Sequence, residues 1–569
     1  MRTDLVAMAL VVWVGFPVLV AAGTPSADVV LLDGRIHTQD SNRRVVQAMA
    51  LRGNTIIAVG TDQVVSALKG PKTKTVDLAG RTVLPGIIDA HTHPASSAGD
   101  IDLCSLEDKI VTPDEVKARL IECLHKHPVE GNRWFEVVAV NPTHLSLTLA
   151  DLDAITHKPM VLFGADGHTV WLNSAALQAS QITAATKDPA NGRIERDTAG
   201  NPTGTLRDGA ADIAGFMPRP TIEYESAELE KAFDAMHAVG ITSVQDASVG
   251  DHAMEIYKRL YDSHRLTMRV RASYLLEDLH EPAATLIERA VAFRKQWAIN
   301  PEFLRADAVK LFADGVIEYP TQSAALLAPY LDANGHPTDN RGPTYFTQEN
   351  LDRIVSGADA AGLTVHIHAI GDRAIRASLD AFAAARRRNG RLDNRDQIAH
   401  VELIDPADIP RFKELDVIAN MQLLWARRAI YVSIGTLPYL GPDRSRYLYA
   451  ARSLRDAGAM IVGGSDWDVS TFNPFEAMEH AVTRAKGRGE EPLYLEQGIR
   501  LQEIVDAYTI NAAYALKQER TTGSLEPGKR GDFIVLDRDI FTIEPFDLHE
   551  TKVLSTYLDG REVYAAIAK

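Results

Sequence analysis

Between residues 86 and 466, outside the stretch 100–235, the sequence keeps one rhythm, a short apolar and β-branched segment followed by a longer amphipathic stretch. The apolar segments fall at 86–91, 242–246, 268–274, 308–312, 363–368, 397–402, 417–422 and 460–466. Strands that alternate with helices form a parallel sheet with both faces covered, and eight such repeats predict an α/β fold, a TIM-like (β/α)8 barrel. Residues 374–387 and 474–486 read as covering helices, with Asp372 and Asn473 standing where N-caps belong.

The chain ends have a different texture. Segments 28–36, 48–60 and 74–80, and again 531–537 and 553–563, are short, β-branched and separated by Gly or Asn turns. They predict one small β-sandwich built from residues 23–82 and 519–569, completed only when the chain returns from a barrel spanning 83–518. The stretch 100–235 breaks the barrel rhythm and is far too long for a connecting loop, so it is expected to carry structure of its own. Within it, 163–174 is dense in polar and aromatic residues and marks a lid or substrate-side insertion.

Residues 5–22 form an apolar run behind Arg2, followed by small and polar residues. This reads as a secretory signal peptide cleaved after Ala22, which places the protein in the periplasm or outside the cell. Asp4 offsets Arg2 and Pro17 interrupts the run, so an uncleaved membrane anchor is the alternative. No later segment reaches about 18 uninterrupted apolar residues, and the body is expected to be soluble. Cys104 and Cys123 are the only cysteines. In an exported chain they can pair or remain two buried thiols, and they are too few for a disulfide framework or a thiolate zinc module. A formal charge of −16 without a basic block excludes a protein that tracks nucleic-acid phosphates and favours a small-molecule partner. A homo-oligomer and a membrane tether stay open.

The chemistry begins at His91 and His93. Side chains at i and i+2 of a strand share a face, so the two imidazoles can grip one ion. Lys310, His368, His400 and Asp466 close later candidate strands, where the active-site face of a barrel lies. Each has an ordinary reading alone: His366 and His368 as strand residues, His400 as a core histidine, Asp466 as the cap of the turn after it. Their joint placement at strand ends in barrel order favours a metal centre of imidazole and carboxylate ligands. Lys310 needs its own account, because an ammonium has no lone pair to give a metal. A charge partner for Asp314 or for a substrate carboxylate is its plain role. Around the site, His168, Trp171, Tyr330, Trp425 and Arg427 are candidate substrate contacts, Arg427 for a carboxylate.

Five segments carry a family resemblance: 84–93 (Leu-Pro-Gly-Ile-Ile-Asp-Ala-His-Thr-His), 309–316, 365–375 with His-Ile-His-Ala-Ile-Gly-Asp, 398–402 and 463–467 (Gly-Gly-Ser-Asp-Trp). Together they resemble the YtcJ-like branch of the metal-dependent amidohydrolases, and the tail 522–537 is similar to that superfamily's closing segment. The likeness runs from about residue 28 to the end of the chain. It implies one or two divalent ions, zinc foremost, with manganese or iron as alternatives. His91 and His93 would hold the more buried ion with Asp466, and His368 and His400 the more exposed one. His366 shares the face of His368 and is the alternative ligand. Lys310 would bridge as a carboxylated lysine, and Asp466 would double as the general base. The reaction implied is attack of a metal-activated water on an amide-like carbonyl, cleaving a C–N bond other than a peptide bond in an N-acyl, N-formyl or cyclic amide. Deamination and ester or lactone hydrolysis use the same water and remain alternatives. So does a non-catalytic binding or regulatory protein on the same scaffold, against which the complete ligand set speaks.

Overall fold

A computed structural model describes residues 26–566, apart from 100–102, 107–108, 110, 127–128, 130–132, 143–144, 190, 213–216, 218–219 and 278–280. The apolar leader lies outside the described residues. Among those described, no helix is long and apolar enough to cross a membrane.

The eight expected barrel strands are present: β1 (Ile87–Thr92), β2 (Ile241–Val249), β3 (Arg269–Leu275), β4 (Leu304–Phe312), β5 (Thr364–Ala369), β6 (Gln397–His400), β7 (Ile418–Met421) and β8 (Ile461–Gly463). They pair side by side in sequence order, every pairing parallel. The two ends of the row meet, where Asp466 N–H donates to the His91 carbonyl at 2.8 Å. β1, β5, β6 and β7 are buried along their whole length, as expected for strands with side chains inside and helices outside. The α/β barrel expected from the strand rhythm is therefore the fold observed.

Local chemistry sets the covering helices. Thr221 and Thr347 cap the helices Ile222–Ala238 and Gln348–Ala360 through their side-chain oxygens, and Asn473 accepts from Phe475 N–H at the start of Pro474–Thr483. Asp372 behaves differently from expectation. It is the first helical residue of Asp372–Asn389, with Gly371 as the cap. Its Oδ1 accepts instead from Leu327 N–H at 2.7 Å, tying the helix to the loop after β4. A Cβ at position 371 would come within 2.2 Å of the Ala325 carbonyl oxygen, so glycine is required there.

The two chain ends pack beside the barrel. Ala27–Leu32, Ala48–Arg52, Thr55–Gly60 and Lys69–Asp77 form a four-stranded sheet. In the facing six-stranded sheet Phe533–Leu536 pairs antiparallel with Thr82–Pro85, which leads straight into β1. One apolar cluster joins the sheets through Leu31, Ile36, Leu51, Val83, Phe533 and Tyr557. The insertion holds another six-stranded sheet, Cys104–Ser105, Phe135–Val140, Met160–Gly164, Thr169–Leu172, Pro202–Asp208 and Gly192–Arg196. Cys104 and Cys123 form a disulfide that ties its edge strand to the helix Pro113–Lys126. Of the two states open to them from sequence, the pair is therefore the one adopted.

Candidate metal centre and active site

All six expected ligands, His91, His93, Lys310, His368, His400 and Asp466, line one cavity of about 380 Å³ at the C-terminal ends of the barrel strands. The insertion contributes Asn141, Ala165, Asp166, Gly167 and His168 to the same wall, so it roofs the barrel mouth. A cavity of this size suits a small molecule.

The ligand atoms of His91, His400 and Asp466 lie within 4.8 Å of one another. His91 Nε2 and His93 Nε2 are each 3.1 Å from Asp466 Oδ1. His368 stands beside His400, ring centroids 4.4 Å apart, but its Nε2 is 3.1 Å from the Gly315 carbonyl oxygen. His400 thus stands close to His91 and Asp466, and His93 touches the same carboxylate oxygen as His91. His400 and Asp466 both have left-handed backbones, φ +75° and +53°. Such a conformation costs a non-glycine residue about 1 kcal/mol or more, and here it turns each side chain inward where its strand stops.

Two buried ring nitrogens make no aligned hydrogen bond among the described residues: His400 Nδ1, and His91 Nε2, which lies 3.1 Å from Asp466 Oδ1 without hydrogen-bond alignment. Orphaned, lone-pair-bearing atoms that converge with a carboxylate fit a divalent cation, and the residues present match that group.

Behind the triad lies a buried chain of amides. Gln422 Nε2 donates to Asn420 Oδ1, Asn420 Nδ2 to Gln397 Oε1, and Gln397 Nε2 to Gln245 Oε1, at 3.2, 2.9 and 3.2 Å. Gln245 Nε2 lies 2.5 Å from His366 Nδ1, and His366 Nε2 lies 3.0 Å from His91 Nδ1. His366 therefore supports His91 from behind, and His368 is the β5 histidine on the cavity. Such contacts fix a ligand's ring orientation.

Burial, and then the Lys310 ammonium, lower His91 to about 3, which keeps the ring neutral. For His93, burial acts downward but the Asp466 carboxylate outweighs it and raises the ring's pKa. For Asp466, burial acts upward, yet the surrounding histidines hold it well below the usual carboxylate range. Burial lowers Lys310 to about 8. The lysine is 1% exposed, with Nζ 4.6 Å from the Phe312 ring centroid. Asp314, its expected partner, instead accepts from the backbone N–H groups of Ala325, Ile370 and Gly371.

Two of the five candidate substrate contacts line the cavity. His168 does so with Nδ1 2.8 Å from Asp208 Oδ1, and Trp425 stacks on His400 at 5.9 Å between ring centroids. Trp171, Tyr330 and Arg427 do not line it. Trp171 packs in the insertion's core, Tyr330 is buried with its hydroxyl donating to the Ala324 carbonyl, and Arg427 turns its Nη1 to His480 at 3.2 Å. Sequence reading passed over Glu318, Glu402, Tyr431 and Tyr449, which also line the cavity. Glu402 was open to the rule that found His400, because it follows the same strand by two residues.

Comparison with known proteins agrees with the barrel fold. The sequence profile of the amidohydrolase family matches residues 74–564. An N-substituted formamide deformylase from Arthrobacter pascens is 29% identical over 562 residues, covering 94% of this chain and 98% of the relative. YtcJ of Bacillus subtilis (strain 168) is 28% identical over 544 residues, 93% of this chain and 98% of its own. The crystal structure of a metal-dependent hydrolase from Pyrococcus horikoshii OT3 superposes with a TM-score of 0.71 at 22% identity, covering 91% of this chain and 99% of that one. The chain belongs to the amidohydrolase family.

Proposed function

We propose that this protein is a metal-dependent hydrolase that cleaves a non-peptide C–N bond, an N-acyl, N-formyl or cyclic amide, in a small molecule. The observation that carries this reading is the convergence of His91, His400 and Asp466, with two orphaned ring nitrogens, at the floor of the cavity. These residues would hold a divalent ion, zinc foremost, with His93, His368 and Lys310 within reach of a second. Such an ion supplies Lewis-acid polarisation of a carbonyl and a water acidic enough to react near neutral pH. Asp466, whose Oδ1 lies 3.1 Å from His93 Nε2, would take a proton from the nucleophile and return it to the leaving nitrogen. His366 and the amides behind it keep His91 in one orientation. His168 and Trp425 face the substrate.

Lys310, buried and without an ion-pair partner among the described residues, is proposed to act as a carboxylated bridge. Lys310→Ala should lose metal and recover part of its activity with a short carboxylic acid. The apolar leader and the Cys104–Cys123 disulfide together support export to an oxidising compartment.

The reading is tested on the purified chain by elemental analysis and by turnover of N-formyl amines, N-acyl amino acids, cyclic amides and lactones with added zinc, manganese or iron. Near-stoichiometric metal and amide turnover are expected. Less than half an equivalent of metal, with no amide cleaved, would sink it.

A further inference from the structure

Carboxylates dominate the cavity wall. Asp166, Glu318, Glu402, Asp466 and Asp468 line it, against Lys310 as the one lysine or arginine among the described lining residues. Asp466 belongs to the ligand cluster, and Asp166 is occupied by the N–H groups of His168 and Thr169 at 3.1 and 3.0 Å. The Glu402 Oε2 has no such occupation. Neither Glu318 nor Glu402 forms an ion pair among the described residues, and the 2% exposed Glu402 has an Oε2 with no donor at all. Two acids that share one wall, neither ion-paired to a lysine or arginine among the described residues, are costly to bury as carboxylates, and a bound cation relieves that cost.

The remaining wall is aromatic. Trp425 stacks on His400, and Tyr431 and Tyr449 border the same space. Aromatic faces attract ammonium groups, and the orphaned Oε2 asks for a hydrogen-bond donor rather than a quaternary centre. Arg427 is turned to His480 and does not meet a substrate carboxylate, which leaves Lys310 as the one lysine or arginine on the wall among the described residues.

We propose that Glu318 and Glu402, walled by Trp425, Tyr431 and Tyr449, form a subsite for a primary or secondary ammonium group of the substrate, so that the preferred substrate is a cationic amide such as a mono-N-acyl diamine. The amide half of this statement rests on the proposed hydrolysis; the ammonium half stands on the cavity wall alone. The subsite lies beside the ligand cluster through Glu402, two residues past His400. The cation would thereby also anchor the scissile group.

The test compares N-(4-aminobutyl)formamide, N-pentylformamide as its uncharged isostere, and N-formyl-5-aminopentanoate as the anionic counterpart. Binding to the metal-loaded protein is read by calorimetry and turnover by kcat/KM. The ammonium compound should bind about tenfold or more tightly than the isostere, with the carboxylate weakest. Glu402→Gln should shrink the cation-to-neutral binding ratio by about tenfold, and Glu318→Gln provides the same reading if the first variant does not fold. Equal binding of cation and isostere, or the reverse order, would overturn the subsite. Cation-selective binding without turnover would keep the subsite and remove the hydrolytic reading. Turnover of all three without cation preference would keep hydrolysis and remove the subsite.

Discussion

Asp466 joins two histidines of the cavity: its Oδ1 lies 3.1 Å from both His91 and His93, and its backbone is left-handed three residues past β8. Its N–H, donated to the His91 carbonyl, secures the backbone whatever the side chain does. Asp466→Asn should therefore keep the thermal midpoint close to wild type while kcat falls by about 10²–10⁴-fold, the usual worth of a general base. Full turnover in that variant would remove the proposed role. His366 invites a different measurement, since it is not among the residues lining the cavity and its Nε2 lies 3.0 Å from His91 Nδ1. His366→Asn should weaken metal affinity by about 10–100-fold in a chelator competition, as loss of an outer-shell partner does. Unchanged affinity would mean that His91 is oriented by its strand alone. His91, His93, His400 and Asp466, which line one cavity, stood out in the sequence because imidazoles and a carboxylate at strand ends have few other uses together. It did not separate the roles of His366 and His368, which share a face by period; only the register that sets His366 level with Lys310 and His368 level with Phe312 places one behind the other.

At the scale of elements, the barrel strands were legible because a strand buried on both faces must be apolar along its length, and β1 and β5 are so buried. The insertion was not legible as a sheet. Its strands run from two to seven residues and mix polarity, as in Cys104–Ser105 and Gly192–Arg196, which leaves no period to read. Arg427 shows the same limit at the level of a loop, because its fixed charge suggested an anion while packing gave it to His480. What secures the insertion's edge is covalent: the disulfide joins Cys104, in the edge strand beside Phe135–Val140, to Cys123 in the helix Pro113–Lys126, 19 residues on. Closing a loop of that order contributes about 3 kcal/mol. Cys104→Ser with Cys123→Ser should lower the protection of the Phe135–Val140 amides in hydrogen exchange by that amount and leave β5 protection unchanged. Equal loss in both strands would show that insertion and barrel unfold as one unit.

For the whole molecule the question is how the sandwich holds the barrel, since Thr82–Pro85 feeds directly into the strand that carries His91. One buried clamp joins them. Arg269, at the start of β3, places Nε 2.6 Å from Asp532 Oδ2 and Nη2 3.2 Å from Oδ1, with side-chain exposures of 2% and 0%. Asp532 immediately precedes Phe533–Leu536, the strand that pairs with Thr82–Pro85, and its carbonyl accepts from Gly86 N–H at 3.0 Å. Removing one partner of a buried pair strands the other's charge, at a cost of about 3–5 kcal/mol. Asp559, 2.5 Å from Arg269 Nη2, remains to share the cation and places Asp532→Ala at the lower end of that range. Denaturant unfolding should show a loss of about 3 kcal/mol for Asp532→Ala, and less for the Asp532→Ala/Arg269→Ala double variant than the sum of the single losses. Below the unfolding transition kcat/KM should stay near wild type, because the strand-end geometry of His91, His400 and Asp466 depends on the barrel's own register. A fall in kcat/KM without a fall in stability would instead make the sandwich part of the catalytic apparatus, acting through the turn at Gly86.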